Sequence, residues 1–168
     1  MKTTYSSFTR TKKFLLVGLM ALAVLMLTAL LAHQRIDYTV NLSTSLPESF
    51  YIVDKYKKTD IKVGDYVGIE WRGGWGYPKK STFIKIIGGR SGDVITVENR
   101  LVRVNGHVIG LAKPATSKGV ALDVIPGQVI PEGKFFVYAL SKDSLDSRYT
   151  AFGLVDEKSL IGKAYGFL

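Results

Sequence analysis

The chain has 168 residues, no cysteine, two histidines and a formal net charge of +9. The missing cysteine excludes a disulfide framework and any thiolate metal site. The charge is concentrated: Lys2, Arg10, Lys12, Lys13 and Arg35 precede Ile36 without a single acid, and the rest carries 18 basic against 14 acidic residues. That near-balance argues against nucleic acid as a partner and for a membrane flank.

Residues 14–32, FLLVGLMALAVLMLTALLA, carry no charge and one polar side chain, Thr28. As a helix this run spans roughly 28 Å, close to the hydrocarbon thickness of a bilayer. It predicts a transmembrane anchor after a cytoplasmic basic tail, residues 1–13. A cleaved leader is the competing reading. It is opposed by the length of the run and by Leu30, which stands where a small residue is wanted before the cut. The excess of basic residues ahead of the run puts the N-terminus in the cytoplasm and residues 36–168 outside, in the periplasm of a Gram-negative cell.

Beyond the anchor, Ile36–Asn41 alternates like a short strand, and Phe50–Val53 and Tyr66–Trp71 follow as further strands. Lys55–Asp60 reads as a solvated connection. Arg72–Lys80 (RGGWGYPKK) has loop composition; its Trp75 and Tyr77 suit either a loop contacting substrate or lipid, or rings packed on the domain. Ser81–Ile87 (STFIKII) is a buried strand with one charge, Lys85, and Gly88–Asp93 reads as a tight turn. Strands at Val94–Val97, Leu101–Val104 and His107–Leu111 follow, the last two joined through Asn105-Gly106, a strong hairpin signal. Lys134–Leu140 and Leu160–Tyr165 complete the set, with Ser141–Tyr149 as a polar loop. The fold expected is mainly β, a single exported domain of short strands with one N-terminal transmembrane helix and no internal repeat.

A candidate nucleophile is Ser45, in Asn41-Leu42-Ser43-Thr44-Ser45-Leu46-Pro47. A serine hydroxyl needs a base within hydrogen-bond reach. Cysteine is absent, and His33 and His107 stand at the end of the apolar run and beside a hairpin turn, which leaves a lysine or a carboxylate. Lys85 is the choice from physics, because apolar neighbours on both faces of its strand depress an amine's pKa. The alternative is a stem laid on apolar surface with its head in water.

Ser45-Leu46-Pro47 shortly after an anchor, Lys85 followed by Gly92-Asp93, and Asp143–Tyr149 (DSLDSRY) together resemble the ordered boxes of the signal peptidase I family of Ser/Lys proteases. The resemblance implies a signal-peptidase-type β fold and assigns parts. Ser45 is the nucleophile and Lys85 the general base. Ser43 joins the Ser45 N–H as an oxyanion donor. Ser144 orients the lysine, and Asp146 and Arg148 form a supporting pair. Without the family, the last two read as a surface ion pair of little weight. Departures exist: Leu46 stands in place of a usual Met, Ile86 in place of a basic residue, Arg90-Ser91 in place of Leu-Pro, and the last box lacks its Gly-Asp-Asn opening. Pro47 and Tyr51 instead resemble the box of the TraF-type branch of conjugative-transfer peptidases, with Ser49 replacing its glycine.

The resemblance thus implies a membrane-anchored serine endopeptidase in the cytoplasmic membrane that acts on a protein substrate, a conjugative pilin precursor, with head-to-tail cyclisation of the product. It implies no cofactor and no metal. A general signal peptidase removing N-terminal leaders is the alternative enzyme, and a non-catalytic membrane-tethered β scaffold of a secretion complex is the alternative of another class.

Overall fold

The computed structural model describes residues 4–41 and 45–167, with side chains from residue 10 onward. The chain divides into two compact units, Met1–Ile36 and Asp37–Leu168. The first is helix α1 (Thr4–Arg35), longer than the apolar run at both ends. Its described side chains from Arg10 to Gln34 are all exposed, and Arg10–Arg35 is long and apolar enough to cross a membrane by length and composition.

The second unit is built from eleven described strands: β1 (Ile36–Val40, whose first residue belongs to the helical unit), β2 (Phe50–Asp54), β3 (Tyr66–Glu70), β4 (Thr82–Arg90), β5 (Val94–Glu98), β6 (Leu101–Val104), β7 (His107–Leu111), β8 (Gln128–Val129), β9 (Lys134–Tyr138), β10 (Val155–Asp156) and β11 (Leu160–Phe167). A seven-stranded sheet runs in the order β1-β2-β11-β3-β4-β9-β10, and a four-stranded sheet in the order β7-β6-β5-β8. The fold is mainly β with one N-terminal apolar helix, as the sequence predicts. β4 lies between β3 and β9, antiparallel to both, which explains its nearly continuous apolar composition: neither face reaches solvent along most of its length. The small sheet belongs wholly to the excursion of the chain between the paired strands β4 and β9.

Two expectations are corrected. Gly88-Gly89-Arg90 is not the tight turn its composition suggests but the end of β4, with a register shift between Ile87 and Gly89. The glycines serve close packing. A β-carbon on Gly88 would come within 2.9 Å of the Tyr138 ring, and one on Gly89 within 2.8 Å of both Ile130 and Val104. The turn begins only at Ser91-Gly92. In addition, the two-residue strands β8 and β10 are absent from the sequence reading, being too short to show a period. The Asn105-Gly106 hairpin is as expected, both residues having positive φ (48° and 79°) as its two-residue turn requires.

Three apolar clusters form the core. One joins the large sheet to the C-terminal segment through Trp71, Ile87, Val137, Phe152 and Leu160. A second lies under the small sheet with Ile95, Val102, Phe136 and Tyr149. A third holds Leu46, Tyr51, Val53, Ile86 and Ala164.

Beside these clusters runs the polar segment 141–149, whose Asp146–Arg148 pair, a weak surface pair if composition alone is considered, is buried. Asp146 is 0% and Arg148 3% exposed. The guanidinium grips the carboxylate through Nε to Oδ1 and Nη2 to Oδ2, both at 2.8 Å. Asp146 also accepts the Ala139 N–H at 3.1 Å, tying the segment to the end of β9. The polar composition of the segment misled because its charges neutralise one another inside the fold; among the described residues no buried side-chain polar atom lacks a partner. Asp146→Ala leaves a buried guanidinium uncompensated and should cost about 3–5 kcal/mol. Removing Asp60, whose pair with Lys62 is solvent-exposed, should change stability by less than about 1 kcal/mol. Thermal unfolding of the two variants checks the contrast.

Candidate active site

Lys85 points from the middle of β4 into the interior and is 5% exposed, so its ammonium does not reach past the apolar surface to water. Nζ lies 5.8 Å from the centre of the Phe83 ring and 5.9 Å from that of Phe152. These rings belong to a stack in which Trp71 lies 5.1 Å from Phe83 and 5.2 Å from Phe152. On its polar side, Lys85 Nζ donates to Ser144 Oγ at 2.6 Å. Burial dominates the electrostatics and brings the amine's pKa down to about 8; the Asp146 carboxylate pulls it upward, and the Arg148 guanidinium pushes it further down. Roughly one molecule in ten therefore carries the neutral amine at pH 7, and the neutral form is the one that can accept a proton.

Ser45 lies in the turn between β1 and β2. Its neighbour Leu46 is 5% exposed and inserts into the third core cluster, fixing the turn from below. Its own carbonyl accepts the Ser141 N–H at 3.3 Å. Ser43 lies outside the described residues.

Ser45, Lys85 and Ser144 all line one cavity of about 460 Å³, whose other walls include Phe83, Leu145 and Tyr77. A second, more open hollow of about 670 Å³ lies against Pro47, Glu48 and Lys142 and shares Ser45 with the first. Ser45, together with Asn41, Ser141 and Asp143, thus borders both hollows. A hydroxyl, a buried amine of lowered pKa and a second hydroxyl that holds the amine are groups with which acyl transfer can be carried out. Arg148 and Asp146 stand behind it: Arg148 Nη2 donates to the Ser141 carbonyl at 2.9 Å.

Other residues that the sequence raised fall elsewhere. His107 is exposed beside its hairpin turn. Trp75 and Tyr77 are both exposed; Tyr77 packs its edge on Phe83 with ring centres 5.0 Å apart and borders the first cavity. Phe152, far from Lys85 in sequence, and Ser141 have no sequence signal that would have placed them here. Among the described residues, no group of three or more His, Cys, Asp or Glu side chains is arranged to hold a metal ion.

No curated protein matches the chain. The sequence model of the family described as signal peptidase, peptidase S26, matches residues 10–167, a span that includes Ser45, Lys85 and the Ser141–Tyr149 segment together with all eleven strands. On that match, which covers nearly the whole length, the chain belongs to the signal peptidase family, peptidase S26.

Proposed function

We propose that this signal-peptidase-like serine peptidase cleaves its substrate with Ser45 as nucleophile and Lys85 as general base. The observation that supports this most is the state of Lys85: a buried amine with a pKa near 8, bonded to Ser144 and bordering the same cavity as Ser45. In the first step Ser45 Oγ attacks the scissile carbonyl while the neutral Lys85 amine takes the hydroxyl proton. The resulting ammonium gives that proton to the departing amine, leaving an acyl-enzyme on Ser45. The oxyanion is held by the Ser45 N–H and, by resemblance to the family, by the Ser43 hydroxyl. Water, activated by Lys85, then releases the acid. Ser144 keeps the amine on the axis of transfer, and Asp146 and Arg148 hold the segment that carries Ser144.

The substrate reading is an exported protein, most specifically a conjugative pilin precursor. Its support is the match of Pro47 and Tyr51 to the TraF-type box. Residues 14–32 anchor the enzyme in the cytoplasmic membrane, the basic residues through Lys13 remain in the cytoplasm, and residues 36–168 form the periplasmic peptidase domain. An acyl-enzyme can also be resolved by a bound amine, and resolution by the substrate's own N-terminus would give a ring.

Ser45→Ala and Lys85→Ala enzymes should remain folded and lose precursor processing by at least about 1000-fold, the scale expected when a member of a catalytic unit is removed. Full processing by either would overturn the assignment. The pH dependence follows from the lysine. Because the base must be neutral, kcat/KM should rise about tenfold per unit up to an inflection near pH 8 and flatten above it.

Stability follows the same titration. Between the folded pKa near 8 and the ordinary value of 10.5, the unfolded chain binds the extra proton, so stability should rise with pH through that window. Below pH 8 the burial penalty is fully present, on the order of 3 kcal/mol at about 1.4 kcal/mol per pKa unit. Lys85→Met should therefore raise the thermal midpoint at pH 7 and remove the rise between pH 8 and 10.5. For the substrate, intact mass of a candidate pilin made with and without the enzyme separates the readings: a ring is one water lighter than the corresponding linear product. An unchanged pilin accompanied by removal of leader peptides from many exported proteins would favour a general signal peptidase.

A further inference from the structure

The segment that presents Ser45 leaves β1 at Asn41 and rejoins the sheet at Phe50. Its described residues 45–49 are held by the Leu46 side chain in the core and by hydrogen bonds. Asn41 supplies three of these bonds. Its backbone N–H donates to Ser49 O at 2.8 Å, closing the excursion where it begins and ends. Its side-chain Nδ2 donates to Leu46 O at 3.0 Å and to Glu48 O at 3.1 Å, tying down the two residues that flank Pro47 on the descending side. The orientation of the amide is fixed chemically: both partners are carbonyl oxygens, so the NH₂ group must face them.

The other ties to this excursion are of different kinds. Leu46 is an apolar plug in the core. Glu48 accepts the Tyr51 hydroxyl at 2.5 Å. Ser45 O accepts the Ser141 N–H. Pro47 limits its own φ but has no N–H with which to fasten itself. The Asn41 amide is the described side chain that spans the excursion from base to middle with two donors on one atom, and Asn41 borders both of the hollows that meet at Ser45.

We propose that Asn41 is a positioning residue for acyl transfer, its carboxamide holding the Ser45 turn at the height from which the hydroxyl meets both the substrate carbonyl and the Lys85 amine. This rests on Ser45 being the nucleophile. A displacement on the order of 1 Å at a reacting atom costs roughly 100-fold in rate without requiring loss of the fold. Neither Ala nor Asp at position 41 can supply the two donors. Aspartate keeps the shape and turns an acceptor toward two carbonyls.

The test uses the full-length detergent-solubilised enzyme and a small p-nitrophenyl ester. Acyl transfer to Ser45 forms the serine ester bond, breaks the substrate ester bond, passes the hydroxyl proton to Lys85 and releases nitrophenolate. Wild type, Asn41→Ala, Asn41→Asp and Ser45→Ala are compared at temperatures below each protein's own midpoint, with rates referred to the folded fraction measured by circular dichroism. Both Asn41 variants should acylate about 10–100-fold more slowly. On a peptide substrate, kcat should fall while KM moves less than about threefold, and the inflection near pH 8 should stay in place, because Lys85 is untouched. Acylation within threefold of wild type in Asn41→Ala, with none in Ser45→Ala, would overturn this role for Asn41 and leave the nucleophile assignment standing. Unchanged nitrophenolate release in Ser45→Ala would overturn both. A shift of the pH inflection together with the rate loss would place the effect on the lysine and likewise sink the proposal.

Discussion

An amine withdrawn from water must be enclosed on every side, and the residues that enclose Lys85 come from separate parts of the chain. β4 supplies the position at the centre of a sheet, Phe83 and Phe152 supply aromatic walls, and the segment after β9 supplies Ser144. The enclosure depresses the pKa because the charged form loses more hydration than Asp146 returns. The Asp146–Arg148 pair is part of that balance. Fully paired, it anchors the Ser144 segment while adding little net charge beside the amine.

The nucleophile side meets the base side at Ser141 and in the core cluster that Leu46 shares with Ile86 of β4. The Arg148 guanidinium, fixed on Asp146, donates to the Ser141 carbonyl, and the Ser141 N–H donates to the Ser45 carbonyl. Leu46 anchors the same turn in a different core cluster from the one that supports Phe152. The Ser45 turn is thus registered to the base side twice, by the Ser141 N–H and by the apolar cluster that joins Leu46 to Ile86.

Much of this was legible in sequence for physical reasons. The uncharged run from Phe14 to Ala32 and the β-branched character of Thr82–Ile87 are statements about transfer from water, and they hold wherever the segment sits. Lys85 was legible only in part: a lone charge in an apolar strand is either interred or reaches water by its stem, and the strand alone favoured the second, whereas the amine is buried. The buried state of Asp146 and Arg148 was not, since two opposite charges in a polar loop look alike whether solvated or interred; only the family resemblance gave them weight. Phe152 and Ser141 were invisible because their roles depend on which loops the sheet brings together. Gly88-Gly89 misled because glycine marks both turns and close approaches, and only the rings of Tyr138 and Phe136 distinguish the two.

That β4 and β9 are hydrogen-bonded neighbours means the chain departs from and returns to adjacent strands, with residues 91–133 and the entire small sheet strung between the two points. Topologically this is a cassette. The walls of the cavity are set by β4 before the departure and by the segment after the return, so the length of the cassette is decoupled from the spacing between Lys85 and Ser144. The cassette braces the segment after the return at the surface, through the ion pair of Lys113 with Asp143, and in the interior, through the bonds from the Lys113 N–H to the Tyr149 hydroxyl and from the Ile125 N–H to the Arg148 carbonyl. A chain built this way can enlarge, shrink or exchange what surrounds its substrate while the chemistry at the centre keeps the same geometry.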